Sequence, residues 1–194
     1  MKSETLMKDI PDEVLVERIK SGSNEAYTIL VKRYMEKAYS IAYQFIGSSE
    51  DAKDLSQDVF IKIYQSISSF KEGQKFFSWF YRILLNHCIN FRKKKSIFPY
   101  KTQELSSNIS SDNSTDYSIN EKLRNDELKN EVKKAISKLP VRQRKVVILC
   151  EMEGLTQKEA SEILKISEGT VRSRLFYARK KLKKFLRTYF LESE

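Results

Sequence analysis

Arg172, Ser173, Arg174 and Phe176 fall within five consecutive positions, and their side chains suit one kind of chemistry. Arginine can place a planar fork of donors on guanine, serine can reach a base edge or a phosphate, and phenylalanine can touch the methyl of thymine. The chemistry is non-covalent reading of bases. Candidates for covalent chemistry are few. His87 is the single histidine, and no Ser, Asp or Cys is spaced to partner it. Cys88 and Cys150 stand apart, without metal-ligand spacing, and read as reduced, buried thiols. No glycine-rich phosphate loop occurs. The chain therefore reads as a non-enzyme with no catalytic residue, metal, cofactor or small-molecule substrate.

The elements that must present those side chains are legible. Thr156-x-x-Glu159 is a capping box opening a short helix to about Leu164. After a tight turn at Lys165-Ile166, Ser167 is placed to cap a second, longer helix. Val171, Leu175, Ala178, Leu182, Phe185 and Tyr189 recur at helical spacing as its buried stripe. Ser173, Phe176 and Lys180 lie opposite, flanked by Arg172, Tyr177 and Lys183. This is the plan of a DNA-reading helix-turn-helix. The competing reading is an ordinary basic helix closing an all-α domain.

Net charge is +10 over 194 residues, which favours a polyanionic partner. Residues 1–97 carry +4, residues 98–126 carry −2, and residues 127–194 carry +8. No apolar run is long enough to span a bilayer, and Met1-Lys2-Ser3-Glu4 lacks a signal-peptide core, so a cytoplasmic protein is expected. Gly and Pro are scarce and strand-like alternation is absent, so the fold expected is all-α. Residues 98–126, polar and low in complexity, read as a flexible linker between helical domains at 1–97 and 127–194.

The first domain reads as a bundle of about four helices, from about Asp12 to Lys20, Asn24 to Ile46, Ser49 to Ser68 and Phe76 to Lys94. The third is apolar on too many sides. Ala52, Leu55, Val59 and Ile63 make a core stripe, while Gln57, Phe60, Ile61 and Tyr64 lie roughly opposite, bordered by Asp54 and Asp58. That second strip is either a protein-docking surface or covered by helix one or two. On the fourth helix Phe77, Phe80, Leu84 and Phe91 read as the inner face. Trp79, Ile83, Asn86 and Asn90 line a second face, and Arg92-Lys93-Lys94-Lys95 follow. Aromatics, amides and a basic cluster suit single-stranded or melted DNA, although such a stripe can equally be core. His87 reads as a satisfied, partly buried histidine.

Both halves resemble the sigma-70 family of bacterial RNA polymerase sigma factors, in the compact extracytoplasmic-function (ECF) group. Leu15-Val16-x-Arg18-Ile19-x-x-Gly22 with Ala26-Tyr27, Asp51-Ala52-x-Asp54-Leu55-x-Gln57-Asp58-Val59-Phe60, and Phe77-x-Trp79-Phe80-Tyr81-Arg82-Ile83-x-x-Asn86 resemble region 2. Leu139-Pro140-x-x-x-Arg144-x-Val146, Gly154-Leu155-x-x-x-Glu159-Ala160 and Gly169-Thr170-Val171-Arg172-Ser173-Arg174-Leu175 resemble region 4. The resemblance implies an alternative sigma factor that binds core polymerase at its β′ clamp and β flap and directs promoter-specific initiation. Asp54, Gln57, Asp58, Phe60 and Ile61 would dock on the clamp. Phe70 and the loop to Lys75, with Trp79, Ile83, Asn86, Asn90, Arg92 and Lys93, would hold the melted −10 element. Thr170, Arg172, Ser173, Arg174, Phe176 and Lys180 would meet the −35 duplex. An anti-sigma factor is the further partner implied. Tyr177 stands where many relatives carry a basic residue. The other classes to separate are a self-sufficient dimeric repressor or activator, which would bind a palindrome without polymerase, and a nucleic-acid enzyme, which would depend on a metal or on His87.

Overall fold

The computed structural model describes residues 10–97 and 116–192, with side chains at 10–94 and 127–187. All regular elements among these residues are helical. In the first half they are α1 (Asp12–Lys20), α2 (Asn24–Ile46), α3 (Ser49–Ser66) with a 3-10 turn at Ile67–Ser69, and α4 (Phe76–Ile97). The second half holds α5 (Asp116–Lys138), α6 (Val141–Val147) running into a π turn at Ile148–Met152, α7 (Gln157–Leu164) and α8 (Glu168–Glu192).

Local chemistry sets these boundaries. The Ser23 hydroxyl accepts the Ala26 N–H at 3.2 Å to start α2. The helix stops at Gly47, which is left-handed (φ 86°) and returns its N–H to the Tyr43 carbonyl at 2.8 Å. Ser48 then caps α3 through the Asp51 N–H at 3.3 Å. The start of α4 is held from a distance: the Glu13 carboxylate accepts the Phe76 N–H at 3.0 Å, supplying negative charge at a helix N-terminus. Asp12 accepts from both Arg33 and Tyr34, which ties α1 to α2.

The first core is aromatic. Tyr34, Phe60, Phe76, Phe80 and Tyr81 form a chain of tilted, stacked and edge-on rings, with Tyr34 and Phe80 4.7 Å apart between centroids. Phe60 is 3% exposed, which corrects its placement on the outer strip of α3. The buried stripe of α3 is wider than Ala52, Leu55, Val59 and Ile63 alone because α2 lies along it, and Tyr27 donates to the Phe60 carbonyl at 2.9 Å. Phe70 and Trp79 are also inside, at 4% and 5% exposure, edge-on to one another at 5.5 Å. The 3-10 turn after α3 folds Phe70 back under α4, and Lys20 holds the Phe70 carbonyl at 2.9 Å. Arg92 to Lys95 lie within α4 rather than beyond it, since the helix continues to Ile97.

The second core is organised by a buried arginine. Arg144 donates to the carbonyls of Ile136 (3.1 Å), Leu139 (2.9 Å) and Ser137, so one guanidinium satisfies the orphan acceptors where α5 ends before Pro140. The five-residue step from Leu139 to Arg144 turns the chain one helical turn into α6, bringing the cation back to the negative end of α5. The Thr156–Glu159 capping box is complete, with Thr156 N–H to the Glu159 carboxylate at 2.9 Å and Glu159 N–H to the Thr156 hydroxyl at 3.2 Å. These hydrogen bonds hold the Glu159 carboxyl below its ordinary range. Thr156→Ala removes the box and should lower stability by about 1 kcal/mol, read as a shift in the urea midpoint at unchanged slope.

The two halves pack on each other, α4 against α7. Tyr81 donates to the Glu153 carboxylate at 3.0 Å, Arg92 donates to the carbonyls of Phe45 and Ser137, and the Arg144 guanidinium lies 5.3 Å from the centre of the Phe45 ring. Burial, then Glu153, pushes the Tyr81 phenol above its ordinary range. Of the segment read as a linker, 98–115 lies outside the described residues, while 116–126 continue α5 as helix.

Candidate nucleic-acid interface

Three surfaces carry the residues singled out in the sequence. The first is the outer face of α8. The Ser167 hydroxyl caps the helix by accepting the Thr170 N–H at 3.2 Å, and the turn before it uses Lys165 in a left-handed conformation (φ 53°). Val171, Leu175 and Ala178 are buried, with Leu182 and Phe185 packed against that core. Tyr189 lies outside the described side chains. Rotating away from that stripe, Arg172, Ser173, Phe176, Tyr177, Lys180 and Lys183 are all exposed. Phe176 is 63% exposed, its ring held edge-on to Tyr177 at 5.4 Å. Burying so large a ring would be favourable, so its outward placement on a cationic helix marks a contact surface. Thr170 and Arg174 sit half-buried at its edge. The Ser173 hydroxyl donates back to the Thr170 carbonyl at 3.1 Å, leaving its lone pairs outward as acceptors.

The second surface is a groove between α3 and α4. One hollow of about 380 Å³ is lined by Lys62, Gln65, Ser66, Ile83, Asn86, His87 and Asn90. A neighbouring one of about 420 Å³ is lined by Asp58, Lys62, His87, Asn90, Phe91, Lys93 and Lys94. They share Lys62, His87 and Asn90 and so form one trough, large enough for a base or a few nucleotides. Ile83, Asn86, Asn90 and Lys93 are brought together here as their spacing predicts. Phe70 and Trp79 are not, because they close the core behind the trough. Arg92 is not either, because its guanidinium is spent on two carbonyls. The reading of α3 missed Lys62, Gln65 and Ser66. Their i, i+3, i+4 spacing puts them on a single face of that helix, and this was the available signal.

His87 sits in the trough wall with Nε2 3.6 Å from an Asp58 carboxylate oxygen, too far for a hydrogen bond, and that nitrogen is buried without a partner. The expectation of a satisfied histidine is corrected. Burial first, then Lys62, hold its pKa below the ordinary value, so it is neutral at pH 7. Burial pushes the Cys88 thiol up to about 12, which makes it inert, whereas Cys150 is only half-buried.

The third surface is the outer strip of α3. Asp54, Gln57 and Asp58 are exposed, together with Ile61 (55%) and Tyr64, whose ring is edge-on to Tyr27 at 5.0 Å. An apolar centre with an acidic and polar border is the anatomy of a protein contact.

Residues 30–97 match the family model for Sigma-70 region 2, and residues 129–182 match that for Sigma-70, region 4. The chain is 32% identical over 184 residues to the ECF RNA polymerase sigma-E factor of Haemophilus influenzae, covering 90% of this chain and 94% of that one. It is 33% identical to the sigma-E factor of Escherichia coli K12 (90% and 93% covered) and 32% identical to ECF RNA polymerase sigma factor SigW of Bacillus subtilis (89% and 95%). Among solved structures, CnrH in complex with the cytosolic domain of CnrY superposes with a TM-score of 0.66 at 25% identity, covering 91% of this chain and 97% of that one. The fold is also that of RpoE of Bartonella quintana (TM-score 0.60, 22% identity, 83% and 96% covered).

A helix-turn-helix with an exposed basic face, joined to a helical bundle with a polar trough, defines a DNA-binding regulator of transcription initiation. The chain belongs to the extracytoplasmic-function group of the sigma-70 family. It is an alternative sigma factor, working with core RNA polymerase on promoter DNA. No helix among the described residues is long and apolar enough to cross a membrane.

Proposed function

We propose that α8 reads the −35 duplex through Arg172, Ser173 and Phe176, with Thr170 and Arg174 at the edge of the contact and Lys180 on phosphate. The observation that carries this is the outward ring of Phe176 on a basic helix capped by Ser167, whose opposite stripe is core. The trough between α3 and α4 holds melted −10 DNA, with Asn86 and Asn90 reading base edges, Ile83 as an apolar wall and Lys93 near the backbone. Asp54, Gln57, Asp58 and Ile61 dock on the polymerase β′ clamp, and the second domain rests near the β flap. The second contact with one promoter is then intramolecular, which raises avidity without any new bond. The site of action is the cytoplasm. A separate restraining protein, an anti-sigma factor, is the remaining partner; the similar CnrH has been solved with the cytosolic domain of CnrY bound.

The test is a binding series on −35 duplexes substituted at each position, with holoenzyme. Arg172→Ala should weaken binding by about 1–3 kcal/mol and flatten discrimination at one base pair. Equal weakening at every sequence would reassign Arg172 to a phosphate.

A further inference from the structure

Where the domains meet, a small cleft of about 130 Å³ is walled by Arg82, Leu85 and Asn86 of α4, Lys145 of α6, and Ile163, Leu164 and Lys165 at the end of α7. Every titratable side chain on that wall is a cation. Two more stand close enough to act on Lys145: Lys93 from α4 and Arg174 from α8. Among the described residues, none of these five is in an ion pair. Burial, then Arg174 and Lys93, lower the proton affinity of Lys145, as expected where like charges converge in a partly dry place.

We infer that this interdomain cleft is a binding site for a compact oxyanion, a phosphoryl group above all. At about 130 Å³ the cleft has room for a tetrahedral anion. Arg82 offers a fork of donors, Lys145 and Lys165 offer ammonium groups, and Asn86 offers an amide, all of which suit phosphate oxygens. Because the walls come from both domains, an anion there neutralises the repulsion between them and ties them together. Its wall lies apart from the outward face of α8 and shares Asn86 with the −10 trough, while the nearby Arg174 and Lys93 border those two surfaces.

The phosphoryl group can come from free phosphate or from a nucleic-acid backbone, and two arms of one experiment separate these. In the first, the full chain is melted in rising inorganic phosphate or pyrophosphate, against chloride at matched ionic strength. In the second, binding of a short single-stranded oligonucleotide of arbitrary sequence is followed by anisotropy. Both are repeated with Lys145→Gln and with Lys165→Asn, a residue that tolerates the left-handed backbone. The expected result is a saturable rise in melting temperature specific to phosphate, with the half-saturating concentration roughly tenfold higher in each variant. A tenfold loss confined to the oligonucleotide arm would assign the site to backbone phosphate. A rise that follows ionic strength whatever the anion, equal in wild type and variants, together with unchanged oligonucleotide binding, overturns the proposal.

Discussion

Arg144→Met should unfold the second domain ahead of the first. The guanidinium is 3% exposed and donates to three carbonyls at the end of α5. Methionine fills similar space but removes all three charged donations; the Ser137 carbonyl keeps Arg92 and the Ile136 carbonyl keeps the Leu139 N–H, while the Leu139 carbonyl loses its side-chain donor. A hydrogen bond from a charged donor is worth about 1.5–3 kcal/mol, so losing this set removes a large share of the roughly 5–15 kcal/mol that holds a domain folded. The chain reports the outcome by itself, because its single tryptophan, Trp79, is buried in the first core. In urea, far-UV circular dichroism of the variant should lose an early fraction of its helix signal while the Trp79 fluorescence midpoint moves much less. A shift of under 1 kcal/mol by both probes would mean that the carbonyls find other donors and that Arg144 does not organise this domain.

The second large effect separates two adjacent residues. Ile61 is exposed and Phe60 is buried, so they should fail in opposite ways. Ile61→Asp leaves stability within about 0.5 kcal/mol, as surface changes do. If the outer strip of α3 meets polymerase, the same change puts an unpaired charge at the centre of an apolar contact. Affinity for core enzyme should then fall by about 2 kcal/mol or more, roughly thirtyfold. Phe60→Ala should instead cost about 3–5 kcal/mol of stability through the cavity it leaves among Phe80 and its neighbours. Fluorescence-detected titration of core polymerase, alongside urea melts of both variants, checks the pair. Normal polymerase binding by a folded Ile61→Asp protein would remove the strip from the docking surface.

These two cases also show where reading the chain succeeds and where it stops. The bounds of α1 and α2 coincide with expectation because Ser21 stops the first helix, Ser23 starts the second and Gly47 stops it, each decided within a few residues. The capping box, the tight turn at Lys165-Ile166 and the outward set on α8 are legible from local signals and from periodicity, which fixes which side chains share a face. Periodicity does not fix how much of a helix its neighbours cover. Phe60 was misplaced because α2 covers a wider band of α3 than one stripe. Periodicity leaves Trp79 open between core and melted strand, and Phe70 is expected at the melted DNA only by resemblance; the 3-10 turn that brings the two together inside decides it. Arg92 looked like one of a basic run, yet its acceptors lie 45 and 47 residues away in sequence. Lys62, Gln65 and Ser66 went unread because their role needs the facing wall of α4.

The most direct measurement is run-off transcription with purified core polymerase and promoters selected from a random DNA pool by the reconstituted holoenzyme. Adding this chain should produce discrete transcripts from the selected templates and none from scrambled ones, and Arg172→Ala should lower their yield in step with its loss of duplex affinity. Output no higher than core polymerase alone on every selected template, from protein that is folded and binds DNA, would contradict the account.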